Sequence, residues 1–274
     1  MQQLPPTGDE HWENVDAAFS AQAPHFDEVD RNNPILQWMR RQVHQQIAKH
    51  IHPGDSMLDI NAGTGIDAVH FAQLGHRVVA VDIAAGMVRE MERKVAEMNL
   101  SSQVTVQRGS FSNLASLAPA KFNYVLSNFG GLNCVADLRP IAQQLTEILN
   151  PGAVITLVIM PRVCPWEMLH IVNGNFRLAF RRFRRNGTIA RIEGHPFLTT
   201  YHSSTSVCRS FGPRFKMMSL TGLASISPPP YVNAIPLHCS RLYGALTTLD
   251  ESLSAVPPFN RWADHFILTL SFRG

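Results

Sequence analysis

The sequence predicts one α/β domain built on a mostly parallel sheet with helices on both faces. Three observations carry that expectation. Short apolar runs alternate with amphipathic stretches between residues 33 and 160, a glycine-rich turn follows the first run, and an acidic residue closes the second. Asp9 to Phe26 carries Trp12, Val15, Phe19 and Phe26, with helix-compatible spacing in its first half, after a loose tail of eight residues. Asn33-Pro34 opens a helix, because proline suits the first helical position. Ile35, Leu36, Met39, Val43, Ile47 and Ile51 form its apolar face, and Pro53-Gly54 closes it. Strands are expected at 56–60, 77–82, 103–106, 122–126 and 153–160, with helices at 67–74, 87–98 and 135–149.

After Pro161 the rhythm changes. The pattern predicts a long helix over 166–185, short strands within 188–201 and a brief helix at 205–211. A strand at 215–226, a helix at 237–253 and a last strand at 265–272 complete the chain. Neither a repeat nor a linker divides it. Residues 1–32 are therefore read as an N-terminal cap and 33–274 as the main domain, with a lid insertion at about 162–203.

The 274 residues are 45% apolar and 16% charged, which suits a large core and argues against a disordered or nucleic-acid-coating chain. A net charge of +3 does not by itself call for a polyanionic partner. Cys134, Cys164, Cys208 and Cys239 are scattered, so neither a disulfide framework nor a zinc site is expected, and no metal is assigned. Met1 to Asp9 lacks a signal-peptide pattern, and no stretch nears the roughly 18 apolar residues of a membrane span. A cytoplasmic protein is the expectation.

The chemistry is carried by Leu58-Asp59-Ile60-Asn61-Ala62-Gly63-Thr64-Gly65 and by Asp82 at the end of the next strand. Glycines at a strand's carboxyl end let backbone approach a ligand, and the acidic residue can accept hydrogen bonds from two ribose hydroxyls. A dinucleotide fingerprint fails here, because Ala68 occupies the third glycine position and a Walker lysine is absent. The stretch resembles motif I of the class I S-adenosylmethionine-dependent methyltransferases. Val78 to Val88 resembles that family's second motif, Phe122 to Cys134 its fourth-strand motif, and Leu149 to Ala153 its Pro-Gly turn. The likeness spans residues 33–160, with 215–226 and 265–272 also in family order.

The resemblance implies a Rossmann-like seven-stranded fold, with S-adenosylmethionine as cofactor and S-adenosylhomocysteine as product. Carried over position by position, it implies a cofactor site of Asp59, Asn61, Ala62, Gly63, Gly65, Asp82, Ile83, Met87, Ser110, Phe111, Ser127 and Asn128. Two positions depart from the pattern. Asn61 stands at the first glycine, where asparagine's tolerance of left-handed angles would preserve the turn. Ser110 replaces the usual aspartate, leaving adenine to backbone groups and apolar packing. Asp59 either meets the cofactor's amino group through water or braces the loop.

The expected reaction is methylation of a small, lipophilic or aromatic acceptor, with oxygen preferred over carbon or nitrogen. Phe19, Phe26, Phe129, Asn133 and His170 are the candidate acceptor contacts, with His11 and His25 within reach if the cap folds over the site. Tyr201 and His202 are the candidate catalytic pair, His202 as general base. The run Arg177 to Arg185 holds five arginines beside Phe176, Phe180 and Phe183. It reads as a solvated lid helix, or as a dock for an acidic carrier protein, an anionic substrate or a membrane surface. Two alternatives stay open: an enzyme acting on a carrier-bound acyl group, and a cofactor-binding regulator without catalysis.

Overall fold

The computed structural model describes residues 8–274; residues 1–7, the start of the expected cap, lie outside the described residues. The strands are β1 (Ser56–Asp59), β2 (Arg77–Asp82), β3 (Val104–Arg108), β4 (Phe122–Ser127), β5 (Leu149–Ile159), β6 (Thr188–Ile192), β7 (His195–Thr199), β8 (Phe215–Leu223) and β9 (His265–Phe272). Seven of them form one sheet in the order β3-β2-β1-β4-β5-β9-β8. The first five run parallel, and β9 is antiparallel to both of its neighbours. With the flanking helices, this is the mostly parallel, Rossmann-like sheet that the sequence predicts. The order reverses between β1 and β4, the switch point outside which such sheets bind ligands.

The principal helices are α1 (Asp9–Asn32), α2 (Pro34–Ala48), α3 (Ile66–Gln73), α4 (Ala85–Glu97) and α5 (Arg139–Ile148). Ile35, Met39, Val43 and Ile47 of α2 and Phe71 of α3 pack on one face of the sheet, and Ile141, Leu145 and Ile148 of α5 pack on the other. Both faces of the central strands are buried, which is why β4, β5 and β9 read as near-continuous apolar runs. Asn33 caps α2 by accepting from the backbone N–H of Ile35 and Leu36.

Three elements differ from the sequence expectation. α1 runs through Pro24 to Asn32 as one helix. Its inner face, Val15, Ala18 and Ala23, is buried, and this packing outweighs the backbone hydrogen bond that proline removes. The fifth helix begins at Arg139 rather than at 135, with Pro140 in its first turn after a 3-10 turn at Gly131–Cys134.

The long helix expected over 166–185 does not form. The chain instead makes α6 (Pro165–Met168) and α7 (Phe176–Ala179), with 3-10 turns at Leu169–Ile171 and Arg181–Phe183. Gly174 in a left-handed conformation breaks the run, and the side chain of Asn175 starts α7 by accepting from the N–H of Leu178. β6 and β7 then form a separate hairpin. The rest of the chain adds α8 (Ser204–Phe211), α9 (Ala234–His238) and α10 (Ser240–Leu253), the last two between β8 and β9.

α1 packs against α4 on one side and β7 on the other. Its side chains complete the start of α4, whose preceding residue Ala84 offers no cap. Asp16 accepts from the N–H of Ala85 at 2.8 Å and Ser20 from the N–H of Gly86 at 2.8 Å. A side chain at Gly86 would strike the Ser20 backbone, so the two helices meet at van der Waals contact there.

Candidate functional site

A cavity of about 480 Å³ opens at the carboxyl ends of β1, β2 and β4, beneath α1 and the β6–β7 hairpin. One half is made by the loop after β1. Gly63 and Gly65 supply its left-handed angles, at φ 56° and 78°, and Asn61 is not among the left-handed residues. Asparagine's tolerance of that conformation is therefore not what preserves the turn. The Asn61 side chain instead ties two loops together, donating to the Asn128 carbonyl at 2.7 Å and accepting from the Ser127 hydroxyl. It fills the space over Gly131, where any Cβ would collide with it. Thr64 donates to Asp27, which fastens the loop to α1.

Asp82 lies across the loop and accepts from the N–H of Gly63 at 2.8 Å and of Ala84 at 2.9 Å. Burial pushes its carboxyl up, and these N–H groups work against the rise. Asn61, Ala62, Gly63, Asp82, Ile83, Met87, Phe111 and Asn128 line the cavity. Four other residues expected there do not. Gly65 turns the chain into α3, where a Cβ would sit 2.6 Å from Met91. Ser127 is buried on Asn61. Ser110 caps the following 3-10 turn through the N–H of Ser112. Asp59 is buried beneath the loop, and burial together with Asp67 pushes its carboxyl well up.

A charged corner follows. Arg40 of α2 donates to Asp67 at 2.6 Å and to Asp30 at 2.7 Å, and its guanidinium lies 4.8 Å from the centre of the Phe129 ring. Burial alone would raise the Asp67 carboxyl, but Arg40 and His44 hold it below the usual carboxylate range. The Nε of Arg40 is buried and without a partner. Asn128 donates to Asp67 at 2.8 Å, so this corner meets the β4 loop.

The other half of the cavity is apolar. Val15, Phe19 and Phe26 of α1, Phe129, Met160, Ala190, Ile192 and Phe197 form its walls. Of the expected acceptor contacts, Phe19, Phe26, Phe129 and Asn133 are there. The Asn133 amide is already committed, donating to the carbonyls of Met160 and Thr200 and accepting from the Met160 N–H. His170 lies on the 3-10 turn Leu169–Ile171 and does not line the cavity. Neither does His25, and His11 is held between the Cys134 carbonyl and the Leu198 N–H.

The expected catalytic pair is split. Tyr201 lines the cavity, whereas His202 turns away and bonds the Val135 carbonyl through Nε2 at 2.9 Å. Burial lowers the pKa of its imidazole.

The histidine that does face the cavity is His265, the first residue of β9. Its Nδ1 lies 2.9 Å from Oδ2 of Asp264, and its ring stands edge-on to Phe129. Burial would raise the Asp264 carboxyl, but His265 and Arg182 hold it well below the usual range. Arg182 donates to Asp264 at 2.8 Å and to Glu167 at 2.8 Å, and Arg181 grips Glu167 with two bonds of 2.7 Å. Cys164, Glu167 and Asp264 converge closely enough to suggest a metal site, yet Arg182 already pairs with both carboxylates. Only an adjacent Asp-His pair at the start of a strand marked this group in the sequence.

A family profile described as a methyltransferase domain matches residues 57–152. A demethylmenaquinone methyltransferase of Symbiobacterium thermophilum is 28% identical over 152 residues, covering 54% of this chain and 59% of that protein. The chain thus spans less than two thirds of that relative's length. Among solved structures, a 1,6-didemethyltoxoflavin-N1-methyltransferase from Burkholderia thailandensis, with its substrate and S-adenosylhomocysteine bound, superposes with a TM-score of 0.61. It is 13% identical and covers 100% of this chain and 94% of its own. The cyclase SpnF superposes with a TM-score of 0.63 at 13% identity, covering 99% of each chain. At such identities these structures establish the fold.

Proposed function

We propose that this chain, a member of the class I S-adenosylmethionine-dependent methyltransferase family, methylates an acidic hydroxyl on a small lipophilic or aromatic acceptor. The observation that carries the proposal is one cavity with two unlike halves: a polar glycine loop with Asp82, and an apolar chamber onto which His265 opens. No helix among the described residues is long and apolar enough to cross a membrane.

The polar half fits the cofactor. Asp82 keeps lone pairs free for a ribose diol, Ile83, Met87 and Phe111 offer apolar walls for adenine, and Arg40 brings a guanidinium to the cavity wall. When bound, S-adenosylmethionine supplies an electrophilic methyl group. In this reading Asn61 holds the β1 and β4 loops at fixed separation, while α1 and the β6–β7 hairpin exclude water from the chamber.

His265 acts as the general base. A carboxylate paired with Arg182 can only accept, so the neutral His265 ring taken for this role has its proton on Nδ1 and leaves Nε2 as an acceptor. Nε2 takes the acceptor's hydroxyl proton, leaving an oxygen nucleophile in the chamber. Asp264 and Arg182 fix the tautomer and the ring orientation, the logic of an oriented acid-base pair. Neither His202 nor His170 has a part in this step.

A second reading keeps the cofactor without methyl transfer. The Asn61 side chain over Gly131 favours it, because it stands where the usual glycine leaves room. Calorimetry with S-adenosylhomocysteine, followed by product analysis with methyl-labelled cofactor against a panel of phenols and carboxylates, separates the two. Binding with labelled phenol ethers supports O-methylation; binding without any labelled product supports the second reading.

A further inference from the structure

The segment between α6 and β6 has a surface that the methyl-transfer site does not use. Ala179 and Arg182 are each 3% exposed and anchor it inward. Phe176, Phe180 and Phe183, at 58%, 45% and 45% exposure, stand on the opposite side. Phe176 opens α7 and Phe183 closes the 3-10 turn that follows it, and the rings of Phe180 and Phe183 are 5.9 Å apart. Leu169, Ile171 and Val172 add exposed apolar groups next to them, with Val172 at 84%.

Charge accompanies this patch. Between Met168 and Ile192 the sequence has six arginines and no Asp or Glu. Arg181 and Arg182 are spent on Glu167 and Asp264. Arg177, Arg184 and Arg185 are exposed and have no carboxylate partner among the described residues. Arg181 itself lines the cavity, so the outward phenylalanines adjoin a wall of the site.

We propose that this face docks on an anionic phospholipid bilayer, with Phe176, Phe180 and Phe183 entering the interface and Arg177, Arg184 and Arg185 meeting the lipid phosphates. Projecting apolar side chains ringed by unpaired arginines are what an interface of acyl chains beneath anionic headgroups takes up. The arginines explain attraction and the phenylalanines explain retention, because apolar burial is not screened by salt. The proposal goes beyond methyl transfer and stands on this surface alone. It would also bring one wall of the cavity, at Arg181, near a source of lipophilic acceptors.

The test is co-sedimentation of the full chain with phosphatidylcholine vesicles, with and without phosphatidylglycerol. The expected result is binding that requires phosphatidylglycerol and weakens as salt is raised. A Phe176→Ser, Phe180→Ser, Phe183→Ser variant is expected to lose retention. A variant carrying Arg177→Gln, Arg184→Gln and Arg185→Gln is expected to bind about a hundredfold more weakly. All six side chains are exposed, so both variants should melt with the parent chain, and that measurement excludes unfolding as the cause. Phosphatidylglycerol-independent binding, binding that survives both variants, or no binding to either vesicle would overturn the proposal. So would capture by purified acyl carrier protein, abolished by the same variants, without vesicle binding.

Discussion

Nδ1 of His265 faces Oδ2 of Asp264 across 2.9 Å, and Arg182 holds the other carboxylate oxygen at 2.8 Å. The imidazole is thereby fixed with Nε2 toward the chamber. His265→Gln is expected to lower kcat on a phenolic acceptor by about 10²- to 10⁴-fold, the usual contribution of a positioned base. KM and the affinity for S-adenosylhomocysteine should change little, since the residue lies outside the polar half of the cavity. Steady-state kinetics with calorimetry checks both.

Asp82→Asn keeps the shape of the side chain and removes its charge. Hydrogen bonds to a charged group contribute about 1.5–3 kcal/mol each, so S-adenosylhomocysteine affinity should fall about tenfold to a hundredfold. The melting temperature without ligand should fall as well, because Oδ1 and Oδ2 each accept a backbone N–H and the asparagine amide keeps only one of them as an acceptor site. Titration calorimetry and thermal melts provide the comparison.

Arg40→Met leaves Asp30 and Asp67 facing each other in a buried corner. Removing one partner of such a network is expected to cost about 3–5 kcal/mol, measurable by urea denaturation. The loss should shrink in the double variant Arg40→Met, Asp67→Asn, which removes one of the orphaned charges.

The pH dependence has two opposed parts. Asp67 and Asp264 titrate below their unfolded range, so each contributes stability above about pH 4 that disappears as pH falls through the folded values. Asp59 is shifted the other way. Its neutral form suits the fold, and stability is lost as pH rises from the unfolded value toward the folded one. Asp59→Asn is therefore expected to raise the melting temperature near pH 8 and to leave it almost unchanged near pH 4. Thermal melts at both values are the check.

The sheet was legible because its central strands β1, β4 and β5 are largely buried and the helices bury one face each, so the periods of the sequence reproduce the layers. Gly63 and Asp82 were legible for a similar reason: a close turn and a diol acceptor restrict the residue type. The segment 166–185 was not, because the pairing of Glu167 with Arg181 and Arg182 folds it back through contacts that periodicity does not encode. His265 is not marked by its sequence surroundings, because its place at the cavity depends on where β9 enters the sheet. In the sequence, only its position at the end of the insertion favours His202. Its ring instead finds the Val135 carbonyl, a partner 67 residues away.

The central claim is that one cavity holds the cofactor and that His265 deprotonates the acceptor. The most direct measurement is single-turnover transfer from methyl-labelled S-adenosylmethionine to a phenol panel, run in parallel with the parent chain and His265→Gln. Labelled phenol ether is expected from the parent chain, with a rate lower by about 10²-fold or more in a variant that still binds S-adenosylhomocysteine normally. Equal rates in the two proteins, or no cofactor binding at millimolar concentration, would contradict it.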